Sequence, residues 1–247
     1  MNFEGKKIIV AGASSGIGKE IAVQLDKRKC KLILIGQSLE KLNNLKAQLN
    51  DKTHIFIDMD LTKENDMSEL FKRITADGVK LDGLVYSAGI GPIYPIKLLK
   101  RENIQKVMEV NVYAFVEMVR QFSNNKFHNG GGSIVAISSI AAVQPEKCQT
   151  AYAMSKAAMN TAVEALAIEL ASKKIRINSV MPGITNTPMA VEAGRMVPGN
   201  DFIQSVSQRQ LLGVIEPENI ADIVLFLLSE LSSVITGRAI YADGGRF

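Results

Sequence analysis

Tyr152 and Lys156 stand four residues apart. If the run AYAMSKAAMNTAVEALAIEL is a helix, that spacing puts both side chains on one face, so a phenol and an ammonium share one site. A free tyrosine titrates near ~10, and a neighbouring cation favours the phenolate. The pair therefore predicts a Tyr152 drawn down toward the range of general acid–base work. Ser139 precedes the tyrosine by thirteen residues, just beyond the apolar run Ser133-Ile134-Val135-Ala136-Ile137, which reads as a buried strand. Its hydroxyl is suited to hydrogen-bond a substrate oxygen. The same Tyr–Lys pair on a solvated helix face does nothing, so the elements around it must decide.

The first of those elements lies near the N-terminus. Lys7-Ile8-Ile9-Val10-Ala11 is a short apolar run, followed by Gly12-Ala13-Ser14-Ser15-Gly16-Ile17-Gly18 and then the helical pattern KEIAVQLDKRK. A strand that enters a helix through a glycine turn leaves backbone N–H groups at a positive helix end, where phosphates bind. Lys31 to Gly36 reads as a second strand and completes a βαβ unit of the size expected for half of a dinucleotide-binding fold. Strand patterns recur at His54 to Ile57, Leu84 to Ser87, Ser133 to Ile137, Arg176 to Val180 and Ala239 to Ala242, with helical patterns between them. This alternation predicts an α/β fold, a doubly wound parallel sheet with helices on both faces.

Composition narrows the class further. The chain has 247 residues, 47% hydrophobic and 22% charged, with no linker-like or low-complexity tract, so a single domain spanning 1–247 is expected. Met1 to Lys7 is not an apolar signal region and no uninterrupted apolar run reaches membrane-spanning length, which predicts a cytoplasmic protein with no membrane partner. Cys30 and Cys148 are far apart and outside any metal spacing, so two free thiols and no metal are expected. The net charge is +4, and its tightest basic cluster, Lys27-Arg28-Lys29, falls at a predicted helix C-terminus. Cations are favoured there without any nucleic acid, and no nucleic-acid partner is expected.

These motifs together resemble the short-chain dehydrogenase/reductase family over essentially the whole chain, and its 3-oxoacyl-carrier-protein-reductase-like members in particular. The glycine turn resembles the family's TGxxxGIG, with Ala11 in place of threonine; Tyr86-Ser87-Ala88-Gly89 sits where the family shows NNAG. Asp60-Leu61 matches the pair that meets the adenine ring, and Pro182-Gly183-Ile184 with Thr187-Pro188-Met189 matches the segment at the nicotinamide end. Asn111, Ser139 and the Tyr152–Lys156 pair match the family's asparagine, serine and YxxxK, and ITGRAIYADGG resembles its C-terminal strand. Ala11 and Ser87 depart from the pattern at positions that brace adjacent strands, not at the proton path.

The resemblance implies reversible hydride transfer between nicotinamide and a carbonyl or secondary alcohol, on a ketone, sugar ketone or β-ketoacyl group. It assigns Tyr152 as proton donor and acceptor, Ser139 as partner of the reacting oxygen and Lys156 as modulator of the phenol and ligand of the ribose. Asn111 would hold a water that links the lysine to solvent. It places the cofactor on Gly12, Ser14, Ser15, Gly16, Ile17, Gly18, Gln37, Ser38, Asp60, Leu61, Ala88, Gly89, Tyr152, Lys156, Pro182, Gly183, Ile184 and Thr187. In this family an acidic residue at the end of the second strand selects NAD, and basic residues there or in the glycine turn select NADP. Here Gly36-Gln37-Ser38 and Ser14-Ser15 carry neither marker. Without a carboxylate to repel a 2′-phosphate, and with Gln37, Ser38 and Ser15 able to donate to it, NADP(H) is favoured over NAD(H).

The resemblance also implies a substrate lid around 187–212, where Met189, Met196, Val197 and Phe202 mix with Glu192, Arg195 and Asp201. The segments around Val110 to Phe122, from Tyr152 onward, Ile220 to Leu228 and Ile235 to Ala242 are apolar, and the resemblance implies that such helices and C-terminal strands pair between copies in a homotetramer or homodimer. The competing readings are an NAD-dependent alcohol dehydrogenase of the same family and a nucleotide-binding sensor without turnover.

Overall fold

The computed structural model describes residues 1–63, 67–196 and 209–246. Val197, Asp201 and Phe202 of the anticipated lid, and the side chain of Met196, lie outside the described residues. The apolar runs become strands: β1 (Lys7–Ala11), β2 (Lys31–Gly36), β3 (Ile55–Asp58), β4 (Leu81–Tyr86), β5 (His128–Ile137), β6 (Ile175–Pro182) and β7 (Ala239–Ala242). Among the described residues these form one parallel sheet in the order β3-β2-β1-β4-β5-β6-β7. The helices are α1 (Gly16–Asp26), α2 (Leu39–Gln48), α3 (Met67–Ile74), α4 (Arg101–Met108), α5 (Ala114–Phe122), α6 (Thr150–Leu170), α7 (Pro188–Met196) and α8 (Pro217–Leu228).

Strand residues alternate between two cores. Ile9 and Ala11 of β1 pack with α3, α5 and α6 on one face, through Phe71, Phe115 and Met159. Ile8 and Val10 pack with α1 and α8 on the other, through Ile21, Leu25, Val224 and Leu225. A sheet buried on both faces needs apolar residues in both registers, which is why its strands read as continuous apolar runs. The strand order reverses between β1 and β4, and the carboxyl ends of the strands around that point form the crevice where such sheets bind ligands. The chain departures at Ala11 and Ser87 are accommodated there by backbone: the Ser87 N–H donates to the Ala11 carbonyl at 2.8 Å.

One element departs from the expected helix over Val110 to Phe122. Glu109–Tyr113 is a single π turn between α4 and α5. Its wider loop turns Asn111 inward, fully buried, and the buried Tyr86 hydroxyl donates to the Val110 carbonyl. Such bulges recur at functional sites because they re-aim one side chain without ending the helix.

Candidate active site

The glycine turn is shaped by contacts that only glycine permits. Gly12 has φ +84°, and a Cβ there would stand 2.4 Å from the Ala88 backbone nitrogen. A Cβ on Gly18 would meet the Gly12 carbonyl oxygen at 2.2 Å. These approaches let β1, β4 and α1 close around the switch point. Ser15 is the N-cap of α1 yet its side chain makes no cap hydrogen bond, and the first turn holds no acidic residue. The helix end therefore keeps its positive character and its N–H donors for an anion such as a pyrophosphate, so the turn fits a dinucleotide.

One cleft is lined by Gly12, Ser14, Ser15, Gly16, Ile17, Gln37, Leu61, Ala88, Gly89, Ser139, Tyr152, Lys156, Pro182, Gly183, Ile184 and Thr187. The remaining sequence-predicted residues stand behind it or beside it. Gly18 supports the turn from beneath. Ser38 accepts from the Lys41 N–H at 3.3 Å as the N-cap of α2. Asp60 accepts from the Thr62 N–H at 3.0 Å, the Thr62 hydroxyl at 2.7 Å and the Gln37 amide at 2.9 Å. The Thr62 donors, helped by Gln37, hold its carboxyl below the usual range against a smaller effect of burial. These contacts leave the Ser38 hydroxyl proton and the second hydrogen of the Gln37 amide to donate.

The proton-active residues are fixed by three elements. Tyr152 and Lys156 lie on one face of α6, as their spacing predicts. The Lys156 ammonium is buried and donates to the Ile137 carbonyl at 2.7 Å, at the end of β5. It lies over the Tyr152 ring, 5.7 Å from the centroid. Asn111 locks the neighbouring backbone: its side-chain oxygen accepts from the Ile90 N–H, and its amide donates to the Ile90 carbonyl and to the Ser155 hydroxyl. Ser155 in turn donates to the Tyr152 carbonyl at 2.7 Å. Ser139 accepts from the Ala141 N–H at 3.1 Å, which leaves its hydroxyl proton for another acceptor.

The electrostatics reverse one expectation. Tyr152 sits above, not below, the ordinary phenol value: burial raises it, and hydrogen bonding with Ser139 offsets only part of that. Burial also draws Lys156 down to about 7. With its ammonium turned to Ile137, desolvation outweighs charge attraction for both groups in the free protein.

Residues not recognised in the sequence complete the walls. Gln210 is buried, accepts from the Ile184 N–H at 2.8 Å and donates to the Ile184 carbonyl at 3.1 Å, bracing the segment after Gly183. Glu146, Gln149 and Arg246 line the cleft near Tyr152. A lone glutamine twenty-six residues from its partner leaves no local pattern to read.

A parallel sheet with a phosphate-type glycine turn at its switch point, beside a tyrosine, serine and lysine in one cleft, defines a dinucleotide-dependent oxidoreductase of the α/β class. The family model described as "Enoyl-(Acyl carrier protein) reductase" matches residues 12–246. The chain is 32% identical to glucose 1-dehydrogenase of Gluconobacter oxydans, over 98% of this chain and 92% of that one. It is 30% identical to the 3-oxoacyl-(acyl-carrier-protein) reductase FabG of Thermotoga maritima, over 99% of each. Among solved structures it superposes on 7α-hydroxysteroid dehydrogenase complexed with NADH and 7-oxo glycochenodeoxycholic acid with a TM-score of 0.90, at 29% identity over 99% of this chain and 95% of that one. It matches ElxO with NADP bound with a TM-score of 0.88, at 25% identity over 97% and 98% of the two chains.

The chain belongs to the short-chain dehydrogenase/reductase family. It is an oxidoreductase of CH–OH and keto groups, the reaction class of these relatives, and it takes a nicotinamide cofactor.

Proposed function

We propose that the chain is an NADP(H)-dependent reductase of a ketone, sugar ketone or β-ketoacyl group, with Tyr152 as the general acid. The observation that carries this reading is the placing of Tyr152, Ser139 and Lys156 in the same cleft as the glycine turn and the Ile184 to Thr187 wall. A bound nicotinamide supplies the hydride that adds to the carbonyl carbon. The protein's own residues then manage the oxygen. The phenol of Tyr152, whose pKa burial raises, gives its proton to the carbonyl oxygen as the new C–H bond forms, and takes it back in alcohol oxidation. Ser139, with its hydroxyl proton unspent on Ala141, hydrogen-bonds the same oxygen and orients it. Lys156 serves the ribose of the cofactor and steadies the charge left on Tyr152. Asn111 holds the backbone of Ile90 and, through Ser155, the turn of α6 that carries Tyr152. Helix α7, which begins at Thr187-Pro188, forms the described part of a lid over the substrate.

The preference for NADP(H) rests on the absence of a carboxylate at Gln37 and Ser38 and on the uncapped Ser15 hydroxyl. Asp60 is close to Gln37, but its charge is turned to the Thr62 and Gln37 donors. The NAD-dependent alcohol dehydrogenase reading is favoured by that same carboxylate. Nicotinamide fluorescence decides between them, since the chain contains no tryptophan to obscure it. Titration should give NADPH binding about tenfold or more tighter than NADH, and Gln37→Asp should reverse the order by introducing charge repulsion at the 2′-phosphate. Tighter NADH binding by the wild type would transfer the assignment to the NAD reading. Binding of neither would leave the nucleotide-dependent mechanism without support.

The same reading includes a cytoplasmic homotetramer, or its half, a homodimer. Val116 of α5 and Met154 and Ile168 of α6 are exposed apolar side chains on the helices that the family resemblance assigns to contacts between copies.

A further inference from the structure

Neither the glycine turn nor the proton path uses Glu146, Gln149 or Arg246, which line the cleft beside Tyr152. Arg246 is brought there by the C-terminal segment after β7, where it bridges to Gln210, the residue that braces Ile184. Its side chain is only 5% exposed, and its Nη2 donates to Glu146 Oε1, one hundred residues away in the chain. Arg209, 45% exposed, donates to the same oxygen at 2.7 Å. The Glu146 N–H donates to Gln149 Oε1 at 3.0 Å, which fixes that amide and leaves its nitrogen with two hydrogens to give.

The leftover valences identify what this wall can hold. Among the described residues Glu146 is the only hydrogen-bond partner of the Arg246 side chain, and Glu146 Oε2 has none. Among the described residues, then, a largely buried guanidinium with unused donors stands with a carboxylate that has an unused acceptor and an amide that has unused donors. A hydroxyl group answers all three, because it accepts from the arginine or amide and donates to the carboxylate. An apolar substrate end would strip water from these groups and return nothing. An anionic end would approach Glu146 and would have to compete with its carboxylate for Arg246 and for the half-exposed Arg209, both of which donate to Glu146 Oε1.

We propose that Glu146, Arg246 and Gln149 form the substrate-recognition wall and select carbonyl compounds hydroxylated on the carbons beyond the reacting one: hydroxyketones and ketoses, or polyols in the reverse direction. This rests on the carbonyl-reductase reading above and names its substrate class.

The test compares kcat/KM with NADPH for three five-carbon ketones: a pentulose, 2-pentanone and 4-oxopentanoate. The wild type should favour the pentulose over 2-pentanone by at least about tenfold, as expected for hydrogen bonds to charged groups. Glu146→Gln and Arg246→Gln should each lower that ratio by about tenfold to a hundredfold, mainly through KM, and Arg246→Lys should restore part of it. NADPH affinity by fluorescence serves as the check that each variant is folded. A ratio unchanged in the variants, with all substrates falling together, would show that the pair only anchors the C-terminal segment and would overturn the proposal. So would a wild-type preference for 2-pentanone or for 4-oxopentanoate. Turnover of none of the three by wild type with NADPH bound would remove the carbonyl-reductase reading, and this assignment with it.

Discussion

Lys156 is the side chain whose charge depends most on what surrounds it. Its ammonium is buried, has one carbonyl acceptor at 2.7 Å and is drawn down to about 7 by desolvation. In free protein burial thus disfavours its charge around neutral pH, while burial raises the Tyr152 phenol above its ordinary value. A bound ribose adds acceptors that favour the charged lysine, so its pKa rises in the complex and binding takes up a proton. The sign follows: NADPH affinity should fall as pH increases above about 7, by at most about tenfold per pH unit, until the pKa of the complex is reached. Lys156→Met should bind more weakly and lose this slope. Fluorescence titrations across that range check it, and an identical slope in wild type and variant would separate Lys156 from cofactor binding.

At the scale of elements, α1 is held at both ends by different chemistry. Its N-terminus keeps open donors, whereas its last residue, Asp26, is buried and closed in by the loop between α2 and β3. Asp26 accepts from the Asn50 N–H at 2.8 Å, the Asn50 amide at 2.9 Å, the Asp51 N–H at 3.0 Å and His54 Nε2 at 3.0 Å. His54 Nδ1 accepts from the Leu32 N–H at 3.3 Å, which assigns the proton on the ring to Nε2. Burial alone would raise the Asp26 carboxyl, but these donors outweigh it and hold it below its ordinary value. A lowered pKa stabilises the fold above the unfolded-state value of about 3.9 and ceases to do so as pH falls through the folded-state value. Asp26→Asn should therefore cost about 2–4 kcal/mol in urea unfolding at pH 7, with the gap narrowing in acid. An equal gap at both pH values would assign the effect to shape and not to charge.

The same element shows where the sequence is informative and where it is silent. The central strands β1 and β2 are visible as continuous apolar runs because they are buried on both faces, whereas β3 and β7 at the edges are shorter and partly exposed. The start of β5 differs again: His128-Asn129-Gly130-Gly131-Gly132 joins the sheet through register with Leu81 and Ile175, not through composition. The glycine turn and the Tyr–Lys spacing are equally visible, since each is a local arrangement with a local cause. Asp26 with Asn50, Gln210 with Ile184 and Arg246 with Glu146 are joined only by the closed fold, across 24 to 100 residues. The π turn is hidden for another reason: VMEVNVYAF has ordinary helical spacing, and the bulge at Asn111 appears only in the hydrogen bonds.

For the whole molecule, the unspent surface and the cleft lead to separate tests. No helix among the described residues is long and apolar enough to cross a membrane. The apolar faces of α5 and α6, with Val116, Met154 and Ile168 exposed, are the proposed contacts between copies. Light scattering at micromolar concentration should return a tetramer or dimer mass, and a monomer would contradict that assembly. The described lining of the cleft comes from one chain: glycine turn, Tyr152, Ser139, Lys156 and the Glu146–Arg246 wall all line it.

The central claim is that Tyr152 supplies the proton. Its ring packs on Gly91, where a Cβ would come within 3.2 Å of Tyr152 Cδ2, so Tyr152→Phe keeps that packing and removes only the hydroxyl. The direct measurement is single-turnover oxidation of bound NADPH on mixing wild type or Tyr152→Phe with a pentulose, alongside NADPH affinity. The variant should bind NADPH within a few-fold of wild type and oxidise it about 10²- to 10⁴-fold more slowly, as expected for loss of a general acid. An unchanged single-turnover rate in Tyr152→Phe would contradict the mechanism.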